Sequence, residues 1–243
     1  MKTLQTQLLA AVGVAIALFN TSTASAVTSL RITEANPTGS SEAYGFDWFE
    51  VTNTGSAAVD ITGWSVDDSS SITTPVRGLL NIITSIAAGE SVIFIESSAA
   101  NFTTNKTAFG SAWFGGTLPS SLQIGSYTAS GVSLSASGDG VGLFDNASTP
   151  VLQAYISFGA TTATGGTVDN AAGINDTTGA SSGVSTRSIV GTNGGFLSSG
   201  NQIGSPGSIA NASVSPVPVP AAAWLMVSGL GALGAMARRR RQA

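Results

Sequence analysis

The sequence predicts an all-β sandwich that is flanked by one apolar helix at each end of the chain. Short groups of β-branched and aromatic residues recur along the 243 residues, and Gly, Asn, Asp or Pro follows most of them. No segment between the two ends has the long, capped pattern with a 3.6-residue period that is typical of a helix. Only 9% of the residues are charged, a composition that favours a secreted β protein. Strands at this spacing predict two packed sheets.

The predicted strands cover most of the central part of the chain. Trp48 and Trp64 are expected to fill the space between the sheets, because large aromatic side chains dominate such cores. Gly55 and Gly63 are expected at turns with a positive φ. The stretch 159–183 is rich in Gly, Thr, Asn and Asp and predicts a mobile loop. The strands are expected at residues 30–34, 46–51, 59–61, 64–66, 91–95, 132–134, 140–144, 151–156 and 184–189.

The charged residues are unevenly distributed. Five of the nine basic residues lie at the two ends, as Lys2 and residues 238–241. Residues 27–220 contain the other four basic residues and all thirteen acidic ones, which gives this part a net charge of −9. Because binding to a phosphate backbone needs clustered Lys and Arg, we expect no nucleic-acid partner.

The chain contains no cysteine and no histidine. Disulfides are therefore excluded, and a part of roughly 190 residues can fold without them. The lack of histidine removes the commonest general base and the commonest transition-metal ligand. We therefore expect no enzyme activity, no catalytic residue and no cofactor.

The first 26 residues have the three parts of a secretory signal peptide. Lys2 supplies the positive charge, residues 8–19 form the apolar core, and Ala24 and Ala26 form a small-x-small cleavage pattern. We expect export by the general secretion machinery and cleavage between Ala26 and Val27.

Residues 221–237 predict a single transmembrane helix. These seventeen residues are apolar or small and carry no charge. As a helix they would span about 26 Å, slightly less than the hydrocarbon core of about 30 Å. Trp224 suits the membrane interface, and the arginines at 238–241 are expected to stay cytoplasmic. The central domain would then lie outside the membrane, in agreement with the signal peptide.

Residues 217–243 resemble the PEP-CTERM sorting signal of Gram-negative bacteria, which combines a Pro-x-Pro element, a short apolar helix and a terminal arginine cluster. Val219 stands where the name-giving Glu of that signal usually lies. The resemblance implies recognition by an exosortase, an integral-membrane cysteine transpeptidase that cuts near the Pro-x-Pro element. It also implies a transient membrane anchor, followed by release or attachment at the cell surface, often in exopolysaccharide-producing bacteria. The matching residues are Val217, Pro218, Val219, Pro220, Trp224, 229–231, Arg238, Arg239, Arg240 and Arg241.

Residues 27–210 resemble the lamin-tail domain, which occurs in nuclear lamins and in many bacterial secreted proteins. The resemblance implies an immunoglobulin-like β-sandwich and a scaffold role more than a chemical one. Residues 211–216 would then link this domain to the sorting signal. The matching segments are Ile32-x-Glu34-x-Asn36-Pro37, Trp48-Phe49-Glu50-Val51-x-Asn53-x-Gly55, 59–68, Ala88-Gly89-Glu90, 137–145, Ser185-Thr186-Arg187 and Ser205-Pro206-Gly207.

Six acidic residues in the first part of the chain leave two interpretations open. They are either oxygen ligands of a Ca²⁺ ion, which extracellular β-domains bind at loop tips, or solvated residues at strand edges and turns. No D-x-D-x-D-G loop is present, and the stretch 159–183, with Asp169, Asn170, Asn175 and Asp176, lacks the nonapeptide Ca²⁺ repeat. The six residues are Glu34, Glu42, Asp47, Glu50, Asp67 and Asp68.

The expected function is a structural or adhesive role on the cell surface or in the extracellular matrix of a Gram-negative bacterium. The first alternative is a carbohydrate-binding module for exopolysaccharide, since exposed aromatic rings stack on sugars, although core packing is the favoured interpretation of these aromatics. The second is a secreted hydrolase that uses paired carboxylates, whose separation the sequence does not give. The aromatic candidates are Tyr44, Phe46, Trp113, Phe114 and Tyr127.

Overall fold

A computed structural model of the protein describes residues 29–68, 77–128, 131–162, 165–176 and 183–208. This part of the chain is built mainly from β-strands, as the sequence predicts, and it also contains a 3₁₀ helix (Gly39–Ser41) and one α-helix, α1 (Phe102–Phe114). Its strands are β1 (Leu30–Asn36), β2 (Trp48–Asn53), β3 (Val59–Asp60), β4 (Ser65–Asp67), β5 (Gly78–Asn81), β6 (Ser85–Ile86), β7 (Ser91–Glu96), β8 (Gln123–Thr128), β9 (Gly138–Phe144), β10 (Leu152–Gly159), β11 (Val168–Asp169), β12 (Gly183–Val184), β13 (Phe196–Leu197) and β14 (Ile203–Gly204).

Ten strands form one continuous sheet, in the order β11-β1-β2-β7-β8-β5-β4-β9-β10-β12. Neighbouring strands are antiparallel except for the pairs β7–β8 and β10–β12, which are parallel. The expectation of two separate sheets was therefore wrong in one respect: β5 pairs with β8 and joins the two halves. Neither β5 nor β8 was expected from the sequence, because each is a short run that contains a glycine.

The sheet folds over itself and encloses the first hydrophobic core. Phe49 and Phe94 from one half stack with ring centroids 5.5 Å apart, and Tyr127 lies 5.2 Å from Phe49. Val66 and Ile156 from the other half are buried in the same cluster. Aliphatic and aromatic side chains from both halves thus form a single sandwich-like or barrel-like core.

Helix α1 was not expected from the sequence. Its residues F-T-T-N-K-T-A-F-G-S-A-W-F are mostly polar or small, and Asn101 makes no side-chain cap hydrogen bond. Such a segment has little intrinsic helix stability, so packing must stabilise it. Phe109 and Trp113 are its buried aromatic side chains, and Gly115 ends the helix with a φ of 63°.

The second hydrophobic core lies between α1 and the outer face of the sheet. Trp48 is fully buried there and makes edge contacts with Phe109 and Trp113, with ring centroids 5.6 and 5.5 Å apart. Because successive side chains of a strand point to opposite faces, Trp48 cannot share the first core with its neighbour Phe49. The expectation that Trp48 fills the space between the sheet halves was therefore wrong, whereas Trp64 lies in the first core.

Part of the predicted loop 159–183 is ordered structure. Strand β11 pairs with β1, and Asn170 donates a hydrogen bond of 2.7 Å to the carbonyl oxygen of Ile32. Thr167, Val168 and Asn170 are buried. Over residues 165–176 the loop expectation was wrong, because side-chain and backbone hydrogen bonds fix this segment against β1.

The two chain ends lie outside the described residues, so the expected signal peptide, linker and sorting signal have no structural description. Among the residues that are described, no helix is long and apolar enough to cross a membrane.

We expect Trp48→Ala to lower the free energy of unfolding by about 3–5 kcal/mol, because the change empties a buried site beneath α1. Urea unfolding followed by far-UV circular dichroism measures this loss. The matched control is Leu79→Ala, at a side chain that is 58% exposed, where a change below about 0.5 kcal/mol is expected. Equal losses in the two variants would contradict the placement of Trp48.

Candidate functional site

The sequence-predicted residues fall into two groups. The signal-peptide residues Ala24, Ala26 and Val27, and the sorting-signal residues from Val217 to Arg241, lie outside the described part of the chain. The structural residues lie inside it.

Gly63 has a φ of 75°, in the left-handed region that favours glycine. Gly55 does not have a positive φ, so that expectation was wrong. A Cβ atom there would lie 2.5 Å from the Cβ of Ser29, so Gly55 is required by a close approach of two segments.

The main polar feature of the structure is a pair of buried carboxylates, Glu34 on β1 and Glu50 on β2. The two residues are direct partners in the antiparallel register, and each is only 1% exposed. They lie on the same face as Trp48, the face that α1 partly covers. The interpretation of these two acids as solvated strand-edge residues was therefore wrong.

Glu34 binds residues that come from far along the sequence. Its Oε1 accepts hydrogen bonds from the hydroxyl of Thr167 and from the backbone N–H of Ser205, the latter at 2.9 Å. Its Oε2 accepts a hydrogen bond of 3.2 Å from the Ser205 hydroxyl. Both oxygens of this carboxylate are thus satisfied by uncharged donors.

Glu50 is held in a similar way. Its Oε1 accepts hydrogen bonds from the hydroxyls of Thr33 at 2.5 Å and Ser91 at 3.4 Å. Its Oε2 accepts a hydrogen bond of 2.6 Å from the backbone N–H of Gly207. The carboxylate pair therefore binds two backbone amides of the segment 202–208, which we call the C-terminal segment.

A buried amide network fixes the start of the C-terminal segment. The Oε1 atom of Gln202 accepts hydrogen bonds from the Asn36 side-chain amide at 2.8 Å and the Tyr44 hydroxyl at 2.7 Å. Its Nε2 donates to the hydroxyl of Thr38 at 3.0 Å. The C-terminal segment is thus attached to the β1–β2 face at Gln202, Ser205 and Gly207.

The environment of the carboxylate pair favours its protonated forms. Burial raises the pKa of Glu34, and the neighbouring negative charge of Glu50 raises it further. Burial also raises the pKa of Glu50, against the opposing effect of the hydrogen bond from Thr33. Two adjacent carboxylates in a low-dielectric site do not easily carry two negative charges.

Raised carboxyl pKa values are also typical of glycosidase acids. A catalytic acid must, however, reach the atom that it protonates. The carboxylates of Glu34 and Glu50 are buried, and their oxygens contact backbone and hydroxyl groups of the same chain. In this arrangement the carboxylate oxygens bind the C-terminal segment and neighbouring hydroxyl groups.

Two of the other acidic candidates accept hydrogen bonds from loop amides: Asp47 from the N–H of Ser40 at 2.7 Å and Asp68 from the N–H of Ser133 at 2.5 Å. Asp139, which was not among the six candidates, accepts in the same way from the N–H of Ser135 at 2.7 Å. Burial raises the pKa of Asp139 to about 6. Within the described ranges, no three acidic side chains are grouped so that they could hold a metal ion.

The five aromatic residues considered as a sugar platform mostly belong to the cores. Tyr44, Phe46, Trp113 and Tyr127 are buried, and Phe114 is half-buried against the second core. In the described part of the chain the large apolar side chains that are exposed are aliphatic. They are Leu79, Ile82, Val151, Ile174, Ile189, Val190 and Leu197.

Sequence reasoning missed the carboxylate pair as a unit. The motif Ser205-Pro206-Gly207 was noticed, but its contact with Glu34 and Glu50 depends on the strand register and on a return of the chain over more than 150 residues. A local sequence signal for such a contact does not exist.

Comparison with known proteins gives one match to a protein family. A family model described as Lamin Tail Domain matches residues 23–172, which is more than half of the chain. No curated protein and no solved structure matches this chain.

We expect the stability of the domain to fall as the pH rises from about 5 to about 9. Both carboxyls bind protons more tightly in the folded chain, so their contribution is fully present below the ordinary Glu pKa of about 4.3 and is lost as the pH rises through the raised values. Glu34→Gln, which cannot ionise, should weaken this dependence and stabilise the domain relative to wild type at high pH. Thermal unfolding across the pH range measures both effects.

The control for the pH experiment is Glu90→Gln, at a partly exposed residue near the C-terminal segment. If this variant changes the pH profile as much as Glu34→Gln does, the effect is not specific to the carboxylate pair. If Glu34→Gln has the same pH profile as wild type, the carboxylate pair does not titrate as described.

Gly204 tests the packing of the C-terminal segment. A Cβ atom there would lie 2.7 Å from Glu34 Oε1 and 2.8 Å from Trp113 Cη2. Gly204→Ala should therefore lower the free energy of unfolding by about 1–3 kcal/mol. Gly183→Ala is the matched control on β12, because a Cβ atom there meets nothing within 4 Å. A neutral Gly204→Ala in urea unfolding would show that the segment does not pack on Glu34.

Proposed function

The chain belongs to the lamin tail domain family, and on this premise we propose that it is a non-enzymatic structural or adhesive protein of a bacterial cell surface or extracellular matrix. In this proposal the general secretion machinery exports the chain in a Gram-negative cell. An exosortase then sorts it through residues 217–243, and the membrane anchor is transient. Exopolysaccharide is the expected surrounding material.

The observation that carries this proposal is the attachment of the C-terminal segment. Ser205 and Gly207 are bound to the carboxylate pair, so the described part of the chain ends at a fixed place, immediately before residues 209–243. This attachment supports the proposed processing, because it holds the end of the folded domain in place independently of what happens to the tail.

The length of the tail suits this geometry. Nine residues lie between Ser208 and Pro218, and the ten residue-to-residue steps of an extended chain reach at most about 33–36 Å. The domain can therefore lie outside the membrane while the Pro-x-Pro element remains near the bilayer surface.

The net charge of the exported part also supports the proposal. Residues 27–220 have a net charge of −9, which disfavours close contact with anionic lipid headgroups.

The non-enzymatic part of the proposal is supported by the state of the candidate acids. The two carboxylates with raised pKa values are buried and are engaged by the chain's own amides and hydroxyls. The lack of histidine and cysteine removes the usual nucleophile and base pairs. The carbohydrate-binding alternative gains no support from the aromatic residues, since none of the five candidates is fully exposed.

Mass spectrometry of the protein isolated from its native cells tests the proposed sorting. We expect a surface form that begins at Val27 and ends near Pro218 or Pro220, without Arg238 to Arg241. The double variant Pro218→Ala and Pro220→Ala should keep the arginines and remain in the membrane, whereas Ser215→Ala, in the linker, should be processed as wild type. An abundant surface form that keeps all four arginines would refute the processing.

Two results would contradict the proposed structural role. Hydrolysis of any polysaccharide by the mature surface form would contradict the proposal that the protein is not an enzyme. Saturable binding to one glycan that a single aromatic-to-alanine change abolishes would instead favour the carbohydrate-binding alternative.

A further inference from the structure

A groove lies beside the C-terminal segment at the rim of the second core. Its volume is about 290 Å³, and its lining includes Ser91 and the turn from Pro206 to Ser208. Phe114, Pro119 and Leu122 supply its apolar surface. Phe114 and Leu122 are only half-buried and Pro119 is exposed, so part of this apolar surface remains open.

The described chain ends in the wall of this groove. The N–H of Ser208 donates a hydrogen bond of 2.9 Å to the carbonyl oxygen of Ser205, and Gly207 has a φ of 78°. These features make a tight turn at Pro206-Gly207. Leu122 packs against this turn, since a Cβ atom on Gly207 would lie 3.0 Å from its Cδ1 atom. Ser208, the last described residue, therefore lies in the groove wall, next to this apolar surface.

The residues that follow suit this groove in chemistry. The run I-A-N-A-S-V, residues 209–214, has no charged residue, and the chain stays uncharged until Arg238. The groove has one ionisable lining residue, Glu90, whose two oxygens accept hydrogen bonds from Gln123 and from the N–H of Ala87, both at 2.7 Å. An uncharged segment can enter without leaving a charge unpaired.

Covalent attachment favours this segment over a second copy of the chain. A short tether holds a segment near its site at an effective concentration in the millimolar range. A second copy would have to reach that concentration and also overcome the repulsion between two domains with a net charge of −9 each.

We propose that this groove is the docking site of the chain's own tail, with Ile209 seated on Phe114, Pro119 and Leu122 and residues 209–214 lying along the groove. Docking fixes the direction in which the tail leaves the domain and shortens the free length ahead of Pro218. The proposal rests on the fold of the C-terminal segment and is independent of the proposed sorting.

Disulfide trapping in the full-length chain tests the docking, because the natural sequence contains no cysteine. One double variant combines Val214→Cys with Ser121→Cys, an exposed residue of the groove wall. The matched variant combines Val214→Cys with Thr107→Cys, an exposed residue of α1 outside the groove. We expect the first pair to form an intramolecular disulfide at least about tenfold faster under mild oxidation, as measured by mass spectrometry of the purified, unprocessed chain.

Tethering alone could bring Val214 near Ser121, so the decisive comparison adds Ile209→Asp to both pairs. A charge at this position opposes entry into the apolar groove, so Ile209→Asp should lower the rate of the Ser121 pair severalfold and leave the rate of the Thr107 pair unchanged. Equal rates in the two original pairs would overturn the proposal, and so would a rate for the Ser121 pair that Ile209→Asp leaves unchanged. A disulfide that forms mainly between two molecules would assign the groove to a second copy and would also overturn it. None of these outcomes depends on whether the chain is cleaved in cells.

Discussion

Much of this structure depends on one constraint: two carboxylates that are buried next to each other need hydrogen-bond donors from the rest of the chain. Removal of Glu34 and Glu50 from water is costly, and their negative charges repel each other. Hydroxyl groups of neighbouring strands offset part of this cost, and the C-terminal segment supplies the remaining donors through Ser205 and Gly207. The folded state is therefore complete only when residues 202–208 cover this face. The domain extends to at least residue 208, although the family match ends at residue 172.

The same face of the sheet carries the second core, so polar and apolar contacts depend on each other. Gly204 passes between the carboxylate of Glu34 and the ring of Trp113 with no room for a side chain. Helix α1 has little intrinsic stability and is held by the contacts of Phe109 and Trp113 with Trp48. Loss of the C-terminal segment would thus loosen α1 as well, because both cover one continuous surface.

The sequence was informative where a short run carried several aromatic or β-branched residues. The segment 46–51 was expected as a strand, and β2 occupies most of it. Strands β5 and β8 were missed because G-L-L-N and Q-I-G-S-Y-T are short and each contains a glycine. Helix α1 was missed because tertiary packing, rather than a capped periodic pattern, stabilises it. In each case the deciding contacts come from residues distant in sequence.

The candidate site was the least predictable part. Alternation along β2 was interpreted as placing Glu50 in solvent, since one face of an antiparallel strand is often polar. Both faces of β2 are in fact buried, one by the first core and the other by α1 and the C-terminal segment. A single sequence gives the type of side chain on each face of a strand, but what covers that face depends on chain segments that return from elsewhere. The lamin-tail resemblance, which the family match supports, supplied the fold where local patterns were insufficient.

The long sequence separation within the carboxylate contacts has a consequence for the newly made chain. Glu34 and Ser205 are 171 residues apart, and Glu50 and Gly207 are 157 residues apart. Because a chain is synthesised from its N-terminus, both acids exist long before the amides that bind them. Contacts over such distances form late, since they must first overcome the entropy of closing a long loop. A product that stops short of residue 205 leaves both carboxylates without their backbone partners. The buried pair thus links the stability of this domain to synthesis of the chain through residue 207.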